Sequence, residues 1–161
     1  MASAGLDPWK VVYDTPFATA IRESEVVFPL LETIHVIVLA LTTGVIVAID
    51  LTLLGLLFRG EAAEAFETRW TPIVWVGFSV MALTGGLLLA SEAAKLETNP
   101  AFLAKLGLLA ATGLNLLVFR WARGRRAGAV RPPWLARASA GASLTLWLAL
   151  IAAGRSIAYF H

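Results

Sequence analysis

The sequence predicts an all-α protein, a four-transmembrane-helix antiparallel bundle preceded by a short N-terminal interfacial helix. Three observations lead there. The chain of 161 residues is 58% apolar, with a mean hydropathy of +0.76, which is more apolar than a soluble domain of this size. Its apolar residues fall in four blocks, each long enough to cross a hydrocarbon layer of roughly 30 Å as a helix of about 20 residues. The stretches between the blocks are too short to hold a further domain.

The elements follow in order. Residues 1–26 form an N-terminal segment in which 8–25 reads as a short amphipathic helix or cap on the outer surface, with Trp9, Val12, Tyr13 and Phe17 on the membrane and Lys10, Asp14 and Arg22 in water. This segment lacks the continuous apolar core of a secretory signal, so the first span is expected to direct insertion itself. The transmembrane domain covers 27–161, with spans at 27–58, 73–91, 101–120 and 135–158. Its connections, RGEAAEAFETRWTP, SEAAKLETNP and RWARGRRAGAVRPPW, are short, as antiparallel neighbours require. Pro72, Pro100, Pro132 and Pro133 are expected in the first turns of the later spans, where a missing N–H costs little.

Charge sets the orientation. Arg120, Arg123, Arg125, Arg126, Arg131 and Arg137 surround the third connection, and Arg59 and Arg69 flank the first. By the positive-inside rule both are cytoplasmic, leaving the two termini and the second connection periplasmic in a multi-pass protein of the bacterial inner membrane. Trp70, Trp75, Trp121 and Trp134 fall at the inner boundary, as an interfacial aromatic belt would place them. The Arg-rich run is therefore read as topogenic and facing lipid; it lacks interleaved aromatics, and no nucleic-acid partner is expected. The expected partners are membrane lipid and either further copies of the chain or a larger membrane complex.

Composition narrows the chemistry. With no cysteine, disulfides, thiolate catalysis and Cys-ligated metals are excluded. The sequence holds no Gly-x-Ser-x-Gly elbow, no His-Glu-x-x-His zinc signature and no phosphate-binding glycine loop. No catalytic residue is assigned, and no catalytic activity of its own is expected. Glu61, Glu64 and Glu67, spaced i, i+3, read as a solvated amphipathic turn rather than a metal site.

Ionisable residues inside spans are costly and mark function by default. They are Glu32, His35, Asp50, Lys105 and Arg155. At about 100° and 1.5 Å per residue, Glu32, Thr43 and Asp50 share one helix line with His35 and Thr42 nearby, and His35, Lys105 and Arg155 lie at one depth. A polar pocket under the outer surface is expected from Glu32, His35, Lys105, Arg155 and Tyr159. Asp50, near the opposite boundary, is expected to pair with Arg59, Arg120 or Arg137. Thr112 and Asn115 are candidates for interhelical hydrogen bonds, and Gly85, Gly86, Gly107, Gly113, Gly141 and Gly154 for close helix approach.

Such a pocket prefers an anionic or redox ligand. One candidate is haem b, with His35 on the iron, His161 as the other available histidine, and Arg and Lys on the propionates. Another is a quinone held by His35 and Tyr159, with Glu32 as proton acceptor. Two alternatives stay open: a structural or assembly subunit whose buried charges only form ion pairs, and ion or proton conduction.

Five stretches carry a resemblance: Ile21-Arg-Glu-Ser, Pro29-Leu-Leu-Glu-Thr-Ile-His35, Asp50-Leu-Thr-Leu-Leu-Gly55, Asn99-Pro-Ala-Phe-Leu-Ala-Lys105 and Gly154-Arg-Ser-Ile-Ala-Tyr159. Through them the chain resembles, nearly end to end, a bacterial family of four-span membrane proteins known as a domain of unknown function. The Glu-x-x-His on the first span is the most specific element. The resemblance implies the fold and topology and little chemistry. The chain is also loosely similar to the membrane domains of copper-resistance proteins, although two histidines with Met1 and Met81 offer few soft ligands.

Overall fold

The computed structural model describes residues 7–124 and 133–159, and of 119–124, 133 and 158 the backbone only. Six α-helices and a terminal 3₁₀ turn follow in order: α1 (Pro8–Tyr13), α2 (Pro16–Arg22), α3 (Val27–Leu53), α4 (Glu61–Leu96), α5 (Pro100–Gly124), α6 (Pro133–Ser156) and the turn Ile157–Tyr159. The last four α-helices form an all-α four-helix bundle, and each contains a stretch long and apolar enough to cross a membrane.

The N-terminal segment is two helices, not one. Asp7 caps α1 and Thr15 caps α2, each followed by a proline in the first turn; Pro16 disfavours helical backbone at Thr15 and so divides them. Both pack on α4. Ala18 and Ile21 are buried there, whereas Val12 and Phe17 are exposed. Trp9 meets Phe102 edge-on at 6.4 Å. Arg22, expected in water, is a tie instead. Its guanidinium donates to the carbonyls of Tyr13 and Ser91 and to the Thr19 hydroxyl, each at 3.1 Å, and stacks on the Tyr13 ring at 3.8 Å.

Charge-assisted hydrogen bonds of this kind contribute about 1.5–3 kcal/mol each when desolvated, and less where half-exposed. Arg22→Ala is expected to weaken docking of the two short helices by about 2 kcal/mol in total. Limited proteolysis within residues 14–26 should speed up accordingly. Arg22→Lys should recover less than half of the loss, because an ammonium cannot fork or stack as a guanidinium does.

α3 stops earlier than its apolar run. Gly55 adopts φ 77°, and the bonds Gly55 N–H to Thr52 O and Leu56 N–H to Leu51 O, both 2.9 Å, close a Schellman turn. Leu56, Leu57 and Phe58 are thereby excluded from the helix despite their hydropathy. α4 departs in the other direction. Residues 61–71, expected as a connection, are helical, and Pro72 lies inside the helix rather than at its start. The run EAAEAFE is made of strong helix formers, and Glu61 and Glu64 sit at the favourable end of the dipole. At 36 residues α4 is about 54 Å long, well beyond the roughly 30 Å needed to cross a hydrocarbon layer. Glu61 and Glu64 are exposed as expected, but Glu67 is 7% exposed and faces the bundle.

Pro100 and Pro133 open α5 and α6 as expected. Asn99 caps α5, its side-chain oxygen accepting from Ala101 N–H and Phe102 N–H, and its amide donates to Ile157 O at 3.2 Å. The start of α5 is thus tied to the end of α6. Helices α3 and α4 form one closely packed antiparallel pair and α5 and α6 another, joined mainly through α3 and α6; among the described residues α4 and α5 have no comparable contact. The buried apolar centre is Ile46, Val74, Trp147 and Leu150. Of the predicted belt, Trp75 and Trp134 are exposed and Trp70 is half-buried; the Trp121 side chain lies outside the described residues.

Candidate functional site

The α3–α4 seam places the site. Along α4 the buried positions include Gly77, Thr84 and Ser91, a seven-residue pattern of small or hydroxylated side chains that lets backbones approach. His35 meets Thr84, and Thr42 meets Gly77. Seven residues forward on α3 correspond to seven back on α4, the register of an antiparallel pair.

His35 Nδ1 lies 2.8 Å from Thr84 Oγ1, and Thr84 Oγ1 lies 2.8 Å from the Val80 carbonyl of its own helix. A hydroxyl has one proton, and the i−4 carbonyl takes it. The Thr84 oxygen therefore accepts, Nδ1–H donates, and the Nε2 lone pair is left uncommitted among the described residues. Gly85 makes room for the ring: a Cβ there would stand 3.1 Å from His35 Cε1. From α5 the Lys105 ammonium is close enough to act on the imidazole electrostatically. The Lys105 stem runs along Gly154 of α6, whose added Cβ would lie 3.9 Å from Cδ, Cε and Nζ. Four helices thus supply a fixed imidazole, the hydroxyl that fixes it, a half-buried cation and a glycine floor.

The other members of the predicted pocket lie elsewhere. Glu32 is exposed, and the carboxylate that does pair with a lysine is Glu92, 2.7 Å from Lys95. Arg155 is exposed and faces Tyr159, 5.7 Å from guanidinium to ring centroid. Tyr159 is itself 71% exposed. Helical phase explains the separation: Gly154 faces Lys105, so Arg155, about 100° further round, points away.

At the other end of α3, Asp50 is 5% exposed and its Oδ2 has no hydrogen-bond partner. Ser143 of α6 faces it. The expected ion pair is not formed with Arg59 or Arg137. Arg59 folds back so that Nε donates to Gly55 O at 3.1 Å, and Arg137 lies on the exposed side of α6 while Asp50 points to the bundle axis. The Arg120 side chain and His161 lie outside the described residues. Asn115 does bridge helices: its amide donates to Ser139 O at 3.2 Å and its oxygen accepts from the Ser139 hydroxyl at 3.3 Å.

Sequence reasoning missed Thr84, Gly77, Glu67 and Trp147. The spacing of Gly77, Thr84 and Ser91 was the signal for the first two. Among the described residues no group of three or more His, Cys, Asp or Glu is placed to hold a metal ion. No curated protein and no solved structure matches the chain. A family of unknown function, DUF6644, matches residues 23–160, from the end of α2 to the turn after α6, and the chain belongs to that family.

Proposed function

We propose that the protein is a membrane-embedded binding subunit for a small redox ligand of the quinone class, held at His35 and Lys105. One observation carries this reading: the imidazole is oriented through Nδ1 by Thr84, which leaves Nε2 without a hydrogen-bond partner among the described residues, in the electrostatic reach of the Lys105 ammonium. A quinol hydroxyl can donate to Nε2, and a quinone carbonyl or the anion formed on partial reduction can accept from the ammonium. The half-buried imidazole and its exposed chain neighbours on α3, Ile34 and Val36, suit a ligand arriving from lipid. Haem fits less well, because a macrocycle needs a slot rather than a helix surface.

On this reading the chain works within a larger assembly and has no catalytic activity of its own. The Arg-rich connection faces the cytoplasm and both termini face the periplasm of a bacterial cell.

The test uses the protein purified in mild detergent. Decylubiquinone should bind saturably, and His35→Ala should weaken binding on the order of tenfold or more, the loss of one well-placed hydrogen bond in a site of low dielectric. Thr84→Val should weaken it less, since the ring remains but its orientation is lost. A visible spectrum with a Soret band that vanishes in His35→Ala would replace the quinone with haem. Failure to bind either ligand, with all variants folded, would leave the structural reading in its place.

A further inference from the structure

At the end of the bundle away from the N-terminal helices, all four long helices line a cavity of about 330 Å³. Its location follows from the packing: α4 and α5 make little contact there, and the gap between the two hairpins is closed on one side by α3 and α6. The volume lies within the range of small-molecule sites, about 300–1,000 Å³. The wall is of two kinds. Phe78 stands between Trp75, at 6.1 Å, and Trp147, at 5.9 Å between centroids, an aromatic run along α4 and α6. The same lining holds acceptors, chief among them Asp50, which is more than nine-tenths buried and has an oxygen without a partner. Glu67 adds a second carboxyl to the lining.

A buried carboxyl with an unpaired oxygen is costly unless something meets it. Among the described residues no Lys or Arg does so, and Arg59 and Arg137 are directed elsewhere. A bare metal ion is disfavoured by donor count, because no cluster of three or more metal-ligating side chains is described. Aromatic faces attract cations, the more so when desolvated, and aromatic walls around a carboxylate are the chemistry that holds substituted ammonium and phosphonium groups.

We propose that this cavity binds a lipophilic organic cation, with Asp50 supplying the counter-charge and Phe78 and Trp147 the aromatic wall. The site is separate from His35. Asp50 is fifteen positions beyond His35 on α3, about 22 Å along the helix, and the His35 end offers a cation where this end offers carboxyls. Quinone binding at the first site and cation binding at the second therefore stand or fall independently.

Tetraphenylphosphonium is the probe, titrated into the full-length protein in non-ionic detergent and followed by calorimetry, with the uncharged triphenylphosphine oxide as control. The wild type should bind the cation saturably and prefer it over the neutral analogue. Asp50→Asn, nearly isosteric, should weaken binding on the order of tenfold or more, the attraction of a close opposite charge in a medium of intermediate dielectric. Glu64→Gln, which removes an exposed carboxyl on α4, should leave it unchanged. Ser143→Leu, which fills the cavity beside Asp50 without removing the charge, should also abolish binding and serves if Asp50→Asn does not fold. The proposal is overturned by absence of saturable binding to the wild type, by equal affinity for the neutral analogue, or by folded Asp50→Asn and Ser143→Leu proteins that both bind as the wild type does.

Discussion

Gly77→Ala is expected to be the most disruptive single-methyl change in the protein, lowering stability by about 3 kcal/mol or more, at and beyond the usual cost of overpacking. An added Cβ would fall on the Thr42 hydroxyl, with Cγ2 at 2.9 Å and Cβ at 3.0 Å. Rotating Thr42 about χ1 exchanges one clash for another, because all three heavy atoms of the side chain stand in the way. Thr42 is itself buried, so the strain passes to the backbones and α3 must move away from α4. The remedy identifies the cause. Thr42→Gly should restore most of the loss in the double variant, short of about 1 kcal/mol for glycine within a helix, and Thr42→Ala should restore part of it. Temperature of aggregation in detergent, read by size exclusion after heating, measures all four corners of the cycle. Additive effects of the two substitutions would mean that the helices do not meet at this pair.

The same pair shows where sequence reasoning stops. Hydropathy located four spans because the bilayer rewards uninterrupted apolar runs whatever their partners. Positions where backbones touch depend on the partner as well. Six glycines were expected at close approaches, yet Gly86, Gly107, Gly113 and Gly141 have nothing within 4 Å of an added Cβ, while Gly77, not among the six, has the closest contact. Small residues permit close approach but do not cause it.

Helix ends were legible in part for a related reason. A proline suits the first turn of a helix, which placed Pro100 and Pro133 well, but the rule runs one way. Pro72 is compatible with an interior position because residues 61–71 favour helix strongly enough to continue through it. That error hid Glu67, read as part of a solvated turn when it is three turns from Gly77 on a single helix and buried.

The candidate site divides in the same way. His35 and Lys105 were found together from depth alone, since residues at one level on neighbouring helices can meet. Phase, which needs the actual rotation of each helix, removed Glu32, Arg155 and Tyr159 and supplied Thr84. The hydroxyl that orients His35 carries no charge, so a search for ionisable residues passes over it.

The second large effect is expected at Trp147, which reads as one more apolar letter in the fourth span. It is 2% exposed, packed with Ile46, Val74 and Leu150, and in tilted ring contact with Phe78. It also stands beside the cavity at the Asp50 end, so truncation would join a new void to an existing one. In a bilayer the transfer part of the loss is reduced, because lipid is as apolar as the core, and what remains is lost van der Waals contact and cavity cost. Trp147→Ala should therefore destabilise by about 3 kcal/mol, the lower end of the usual cost for a buried tryptophan. Trp147→Phe should cost about a third to a half of that, since a ring still faces Phe78. Trp75→Ala provides the contrast: that side chain is 42% exposed, and its loss should shift thermal aggregation in detergent far less. If Trp75→Ala proved the more damaging of the two, lipid-facing aromatic anchoring rather than packing at the bundle axis would be what holds the four helices together.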